Sequence, residues 1–102
     1  MEKFDTKTLP EKLQTVPAWT LADNQLAIHR DFVFADFVQA FAFMSAVAIT
    51  SEKRDHHPEW SNVYNKVQVR WTTHDAGGLT QKDIDMAQFC DTIAQGFGHA
   101  PV

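Results

Sequence analysis

Two runs of this chain, residues 26–34 and 66–73, alternate with a period of two, and a long stretch of helical period separates them. Alternation of this kind marks a strand with one face on a core and the other open. In the first run Leu26, Ile28, Phe32 and Phe34 share one parity, with Arg30 as a blemish on it. In the second run Val67, Val69, Trp71 and Thr73 alternate with Lys66, Gln68, Arg70 and Thr72. Each run has a short companion. Trp19 and Leu21 precede the turn residues Asp23 and Asn24, and strand character returns at Asn62, Val63 and Tyr64. Connections this short predict two hairpins and an antiparallel sheet.

Three helices complete the pattern. The first has Thr6 or Thr8 as its cap, Pro10 in its first turn and Leu9, Leu13 and Val16 as its apolar stripe, and Pro17 stops it. The second spans residues 36–54, with Phe37, Phe41, Met44 and Ala48 expected as its core stripe. Ala40, Phe43 and Val47 lie on another side of it. A helix apolar on two sides is expected to be covered on two sides, so part of it should face a second subunit. The third follows the Gly77-Gly78 turn, with Thr80 and Asp83 at capping-box spacing. Met86, Phe89, Cys90, Ile93 and Phe97 form its stripe. The order is αββαββα, an α+β fold with a four-stranded antiparallel sheet and helices packed on one face. Residues 1–102 read as a single domain, with no repeat or linker-like tract.

Composition narrows the function. Apolar residues make up 44%, enough for a packed core. Thirteen acidic against nine basic residues give a net charge of −4, and no basic stripe stands out, which argues against nucleic acid or an anionic membrane as a partner. The apolar stretch of residues 40–49 is too short to span a bilayer. A lone cysteine, Cys90, excludes an internal disulfide. With no apolar segment near Met1, a cytoplasmic location is expected.

The chemistry concentrates in two loops. His56 and His57 follow the second helix, and His74 ends the last strand. Imidazole both takes and gives protons near neutrality, which suits elimination, hydration or tautomerisation. Pro58 biases His57 towards an extended backbone, so the side chains of His56 and His57 should point apart. Taken alone, the pair reads more readily as a plain polar loop, the default surface. Asp55, Glu59 and the three histidines could also supply metal ligands. Against that, adjacent histidines rarely chelate one ion, and neither His-Glu-x-x-His nor a cysteine pair is present.

Joined together, these segments resemble the pterin-4a-carbinolamine dehydratase family. The resemblance rests on Glu52-Lys53-Arg54-Asp55-His56-His57-Pro58-Glu59-Trp60, on Asn62-Val63-Tyr64-Asn65-Lys66-Val67, and on Thr72-Thr73-His74-Asp75-Ala76-Gly77-Gly78-Leu79-Thr80 with Asp83-Ile84. Trp19, Arg30-Asp31-Phe32-Val33-Phe34 and Ala40-Phe41-Ala42-Phe43-Met44 agree with it. The resemblance implies the αββαββα fold and dehydration of 4a-hydroxytetrahydropterin to quinonoid dihydropterin. That step recycles the pterin used by aromatic amino acid hydroxylases, hence a functional link to a phenylalanine hydroxylase. It implies no metal, no organic cofactor, and a homodimer or homotetramer.

The resemblance also carries residue roles. The catalytic positions fall on His56, His57 and His74, and pterin contacts on Asp55, His56, His57, Thr72, Thr73, His74 and Asp75. For this chemistry His56 and His74 are expected as the acid–base groups, with His57 holding the pterin. Asp75 and Asp83 are expected to orient His74 or bind the pterin's polar edge, and Glu52 and Trp60 to shape the pocket wall. The alternative is a non-catalytic oligomeric partner that works through the surface of its second helix.

Overall fold

A computed structural model describes residues 2–97. Helix α1 (Thr8–Leu13) leads into strands β1 (Thr20–Leu21) and β2 (Ile28–Val33), helix α2 (Phe37–Arg54), strands β3 (Glu59–Val63) and β4 (Lys66–Trp71), a 3-10 turn (His74–Ala76) and helix α3 (Gln81–Gly96). The sheet is wholly antiparallel in the order β1-β2-β4-β3, as the alternation predicts.

Its buried face carries Ile28, Arg30 and Phe32 from β2 and Val67, Val69 and Trp71 from β4, all packed under the helices. His29, Asp31, Gln68 and Glu59 lie on the opposite, open face. Arg30 stays inward because α3 supplies a counter-ion: its guanidinium pairs with Asp91, which also accepts from Trp19 Nε1 at 2.9 Å. Phe32 and Phe43 meet at a ring-centroid distance of 4.8 Å, with Phe34 5.0 Å from Phe43. Each such fully buried ring contributes roughly 1.5–3 kcal/mol over its exposed state.

Several local expectations change. Asp5, rather than Thr6 or Thr8, holds the start of α1: its carboxylate accepts from the amides of Lys7 and Thr8. The Thr8 amide holds that carboxyl below its ordinary range. Strand β3 begins at Glu59, directly after Pro58, three residues earlier than the apolar pattern suggested. Leu26 precedes β2 and is exposed.

The largest correction concerns α2. The side buried on the sheet is Ala40, Phe43, Val47 and Ser51; of the stripe expected as core, Met44 packs partly buried against it, whereas Phe37, Phe41 and Ala48 are exposed. Phe37 is 46% exposed and Phe41 57%, with their rings 5.7 Å apart. The small Ala40 and Ser51 let the helix approach the sheet around the single large Phe43. Two apolar sides do exist, and the one that carries Phe37 and Phe41 faces outward. No helix among the described residues is long and apolar enough to cross a membrane.

Candidate active site

The site is built where α2 ends. Asp36 caps the start of this helix by accepting from the Gln39 amide. At the far end Asp55 adopts a left-handed conformation (φ 52°), and the His56 amide folds back onto the Ser51 carbonyl at 3.0 Å. Aspartate tolerates this backbone better than most side chains, and the turn closes otherwise unpaired helix carbonyls. It also throws His56 back beneath the sheet while His57 stays outside.

His56 is buried and stacks on Trp71, centroids 5.5 Å apart and planes 17° from parallel. Its Nε2 lies 2.6 Å from Asp83 Oδ1. Asp83 is wholly buried in the first turn of α3 and spends its other oxygen on the Thr80 amide (2.9 Å) and the Thr73 hydroxyl (2.8 Å). Thr73 has one hydroxyl proton and gives it to Asp83, so the Thr80 hydroxyl donates to Thr73 across their 2.9 Å contact. With Asp83 ionised and able only to accept, His56 carries its proton on Nε2 and keeps Nδ1 as acceptor. The capping box expected at Thr80 and Asp83 is present, and the same carboxylate anchors a histidine.

The other two imidazoles are exposed, and each has its own carboxylate. His57 Nε2 is 2.8 Å from Glu52 Oε1. His74 Nε2 is 2.9 Å from Glu59 Oε2, and Arg70 Nε donates to the other oxygen of Glu59 at 3.0 Å. His56 and His57 thus point apart, as the extended backbone before Pro58 requires. By strand parity His74 falls on the side of Arg70 and Thr72. It reaches Glu59 there, although β4 ends at Trp71 and His74 itself opens the 3-10 turn.

Asp55, His56, His57, Thr72, Thr73, His74, Asp75 and Lys82 line one open cleft of about 270 Å³. The cleft therefore gathers all seven of the expected pterin-contacting residues. Larger hollows of about 430 and 390 Å³ lie on the open face of the sheet, but of the histidines they hold only His29. Size alone does not mark a reactive site; convergent titratable groups do.

Three expected placements differ. Asp83 serves His56, and the carboxylate bonded to His74 is that of Glu59. Trp60 packs partly buried against the core and is not among the residues lining the cleft. Glu52 acts on the cleft through His57. Lys82 was missed. A lysine in the first turn of a helix opposes the macrodipole, and that local misfit was the available signal. Among the described residues no three His, Cys, Asp or Glu side chains are grouped to hold a metal ion.

Comparison with known proteins shows the family. The family model for pterin 4 alpha carbinolamine dehydratase matches residues 2–93. A Rhodopseudomonas palustris (strain HaA2) protein carrying a pterin-4-alpha-carbinolamine dehydratase name is 48% identical over 100 residues, covering 98% of this chain and 99% of its own. A Novosphingobium aromaticivorans protein of the same name is 58% identical over 81 residues, 79% of this chain and 84% of its own. The crystal structure of a transcriptional coactivator/pterin dehydratase from Brucella melitensis superposes with a TM-score of 0.87 at 42% identity, covering 91% of this chain and 99% of that one. A pterin dehydratase-like RuBisCO assembly factor of the alpha-carboxysome shares the fold, with a TM-score of 0.66 at 22% identity over 74% of this chain and 88% of that one. Motifs, fold and relatives converge, and the chain belongs to the pterin 4 alpha carbinolamine dehydratase family.

Proposed function

We propose that this protein dehydrates 4a-hydroxytetrahydropterin to quinonoid dihydropterin by general acid–base catalysis. A proton delivered to the C4a hydroxyl lets it leave as water. A base removes a proton from a ring N–H, and the freed electron pair completes the new carbon–nitrogen double bond. One proton enters and one departs, so the net change is loss of water. His56 and His74 serve as the acid–base groups, and His57 holds and polarises the ring. Asp55, Thr72 and Asp75 offer polar contacts. Thr73 braces the cleft wall, because its hydroxyl is committed to Asp83 and its backbone to Gly78 and Ala76. The product re-enters tetrahydropterin recycling for an aromatic amino acid hydroxylase such as a phenylalanine hydroxylase, in the cytoplasm.

The observation that carries this reading is the convergence of three imidazoles from two distant loops on one cleft, each bonded to a carboxylate. His57→Ala and His74→Ala test it. Both side chains are exposed, so stability should move by no more than about 0.5 kcal/mol. The acceleration of water loss, followed by absorbance in a stopped-flow instrument, should fall by roughly 10²–10⁴. Unchanged rates in both variants end the proposal.

A second reading, an oligomeric binding partner, is favoured by the outer side of α2. Phe37, Val38, Phe41 and Ile49 are all exposed on this helix, with the rings of Phe37 and Phe41 in contact, and grouped exposed apolar side chains suit an interaction surface. This side is the proposed contact of a homodimer or homotetramer, and it is compatible with catalysis in the separate cleft.

A further inference from the structure

The carboxylate of Glu59 lies behind the cleft, bonded to His74, and its placement is dictated by the sheet. Glu59 is the first residue of β3, and its Cα partner on β4 is Arg70. Both side chains stand on the open face, where Arg70 Nε donates to Oε1 at 3.0 Å. That leaves Oε2 for His74 Nε2, 2.9 Å away. We propose that Glu59, braced by Arg70, is a positioning residue for His74: it holds the proton on Nε2 and so makes Nδ1 the nitrogen that exchanges protons with a molecule in the cleft.

The argument is one of order and bonding capacity. The His74 side chain is 77% exposed and follows the last residue of a strand by three positions. An imidazole in that setting samples several rotamers and both tautomers, and a lone surface contact holds it weakly. Here the contact is prepared in advance. The cross-strand register sets the backbone of Glu59 and Arg70, and their ion pair restricts Glu59 before His74 arrives. An ionised carboxylate only accepts, so a neutral His74 bonded to it must carry its hydrogen on Nε2. In either protonation state Nδ1 is then the free position: a lone pair in the neutral ring and an N–H in the cation. This is the logic by which a base is oriented by a third group. The catalytic half of the proposal rests on the dehydratase reading, whereas the tautomer half does not.

The test is Glu59→Gln, read by two-bond proton–nitrogen correlation NMR on uniformly ¹⁵N-labelled protein and by steady-state kinetics with a 4a-hydroxytetrahydropterin. Arg70 only donates, so it will claim the amide oxygen of the new side chain and turn the NH₂ towards His74. Nε2 must then accept. Neutral His74 should be the Nε2–H form in the wild type and the Nδ1–H form in the variant. With Nδ1 blocked, kcat should fall about tenfold, part of the 10²–10⁴ ascribed to a positioned acid–base group, with KM within about twofold. An unchanged tautomer overturns the proposal whatever the activity, and an inverted tautomer with wild-type kcat overturns its catalytic half. A wild-type protein that shows the Nε2–H form and does not accelerate dehydration would instead refute the function proposed above and leave the positioning of His74 standing.

Discussion

Removing the Asp83 carboxylate should unfold more of this protein than its size suggests. Asp83→Ala deprives three buried donors of their acceptor at once: His56 Nε2, the Thr73 hydroxyl and the Thr80 amide. Each such donor left without a partner costs about 1–3 kcal/mol. Water can reach the edge of His56, which is 8% exposed, so the three penalties will not add in full. Three such penalties span about 3–9 kcal/mol, and the lower part of that span, roughly 3–5 kcal/mol, is the expected loss here. At about 4 °C per kcal/mol for a chain of this length, the midpoint of thermal unfolding should drop by roughly 12–20 °C. In urea, with a slope of about 1.5 kcal/mol/M, the midpoint should fall by roughly 2–3 M. Asp83→Asn provides the control. Its amide oxygen can still cap Thr80 and accept from Thr73, while its NH₂ faces His56 and forces Nε2 to accept. Stability should be largely retained, at a cost of about 1 kcal/mol, while the His56 tautomer inverts. Equilibrium unfolding followed by circular dichroism measures both variants. A loss below about 1 kcal/mol for Asp83→Ala, or an equal loss for the two variants, would show that the hydrogen-bond network does not hold α3 to the cleft as argued.

Two more predictions address the rest of the molecule. Phe41→Asp places a charge on the outer side of α2 and should shift sedimentation velocity profiles towards smaller species without loss of helical signal; an unchanged assembly, or a wild-type protein that is already monomeric, removes that side as the contact. Burial pushes the Cys90 thiol from its usual 9.0 up to about 12. The folded state thus favours the neutral thiol, and the resulting stability is intact below pH 9 and declines as pH climbs towards 12. Cys90→Ala lacks that decline, so the stability gap between it and the wild type should narrow above pH 9; a constant gap would refute the burial argument.

The element order, the antiparallel sheet and the two histidine loops were legible from residue order alone. Those features depend on local properties: a period of two or 3.6, a Pro or Gly at a turn, and an acceptor three residues ahead of a donor. Family motifs further pointed to the residues of the cleft. Which partner each histidine takes was not legible, because the pairs are formed by packing. His56 and Asp83 are 27 residues apart and meet only because α3 lies beneath β4. His74 and Glu59 are 15 apart and meet only through the β3–β4 register. The same limit explains α2. Periodicity reveals two apolar sides, but only the shape of the opposing sheet decides that Phe43 turns inward and Phe41 outward.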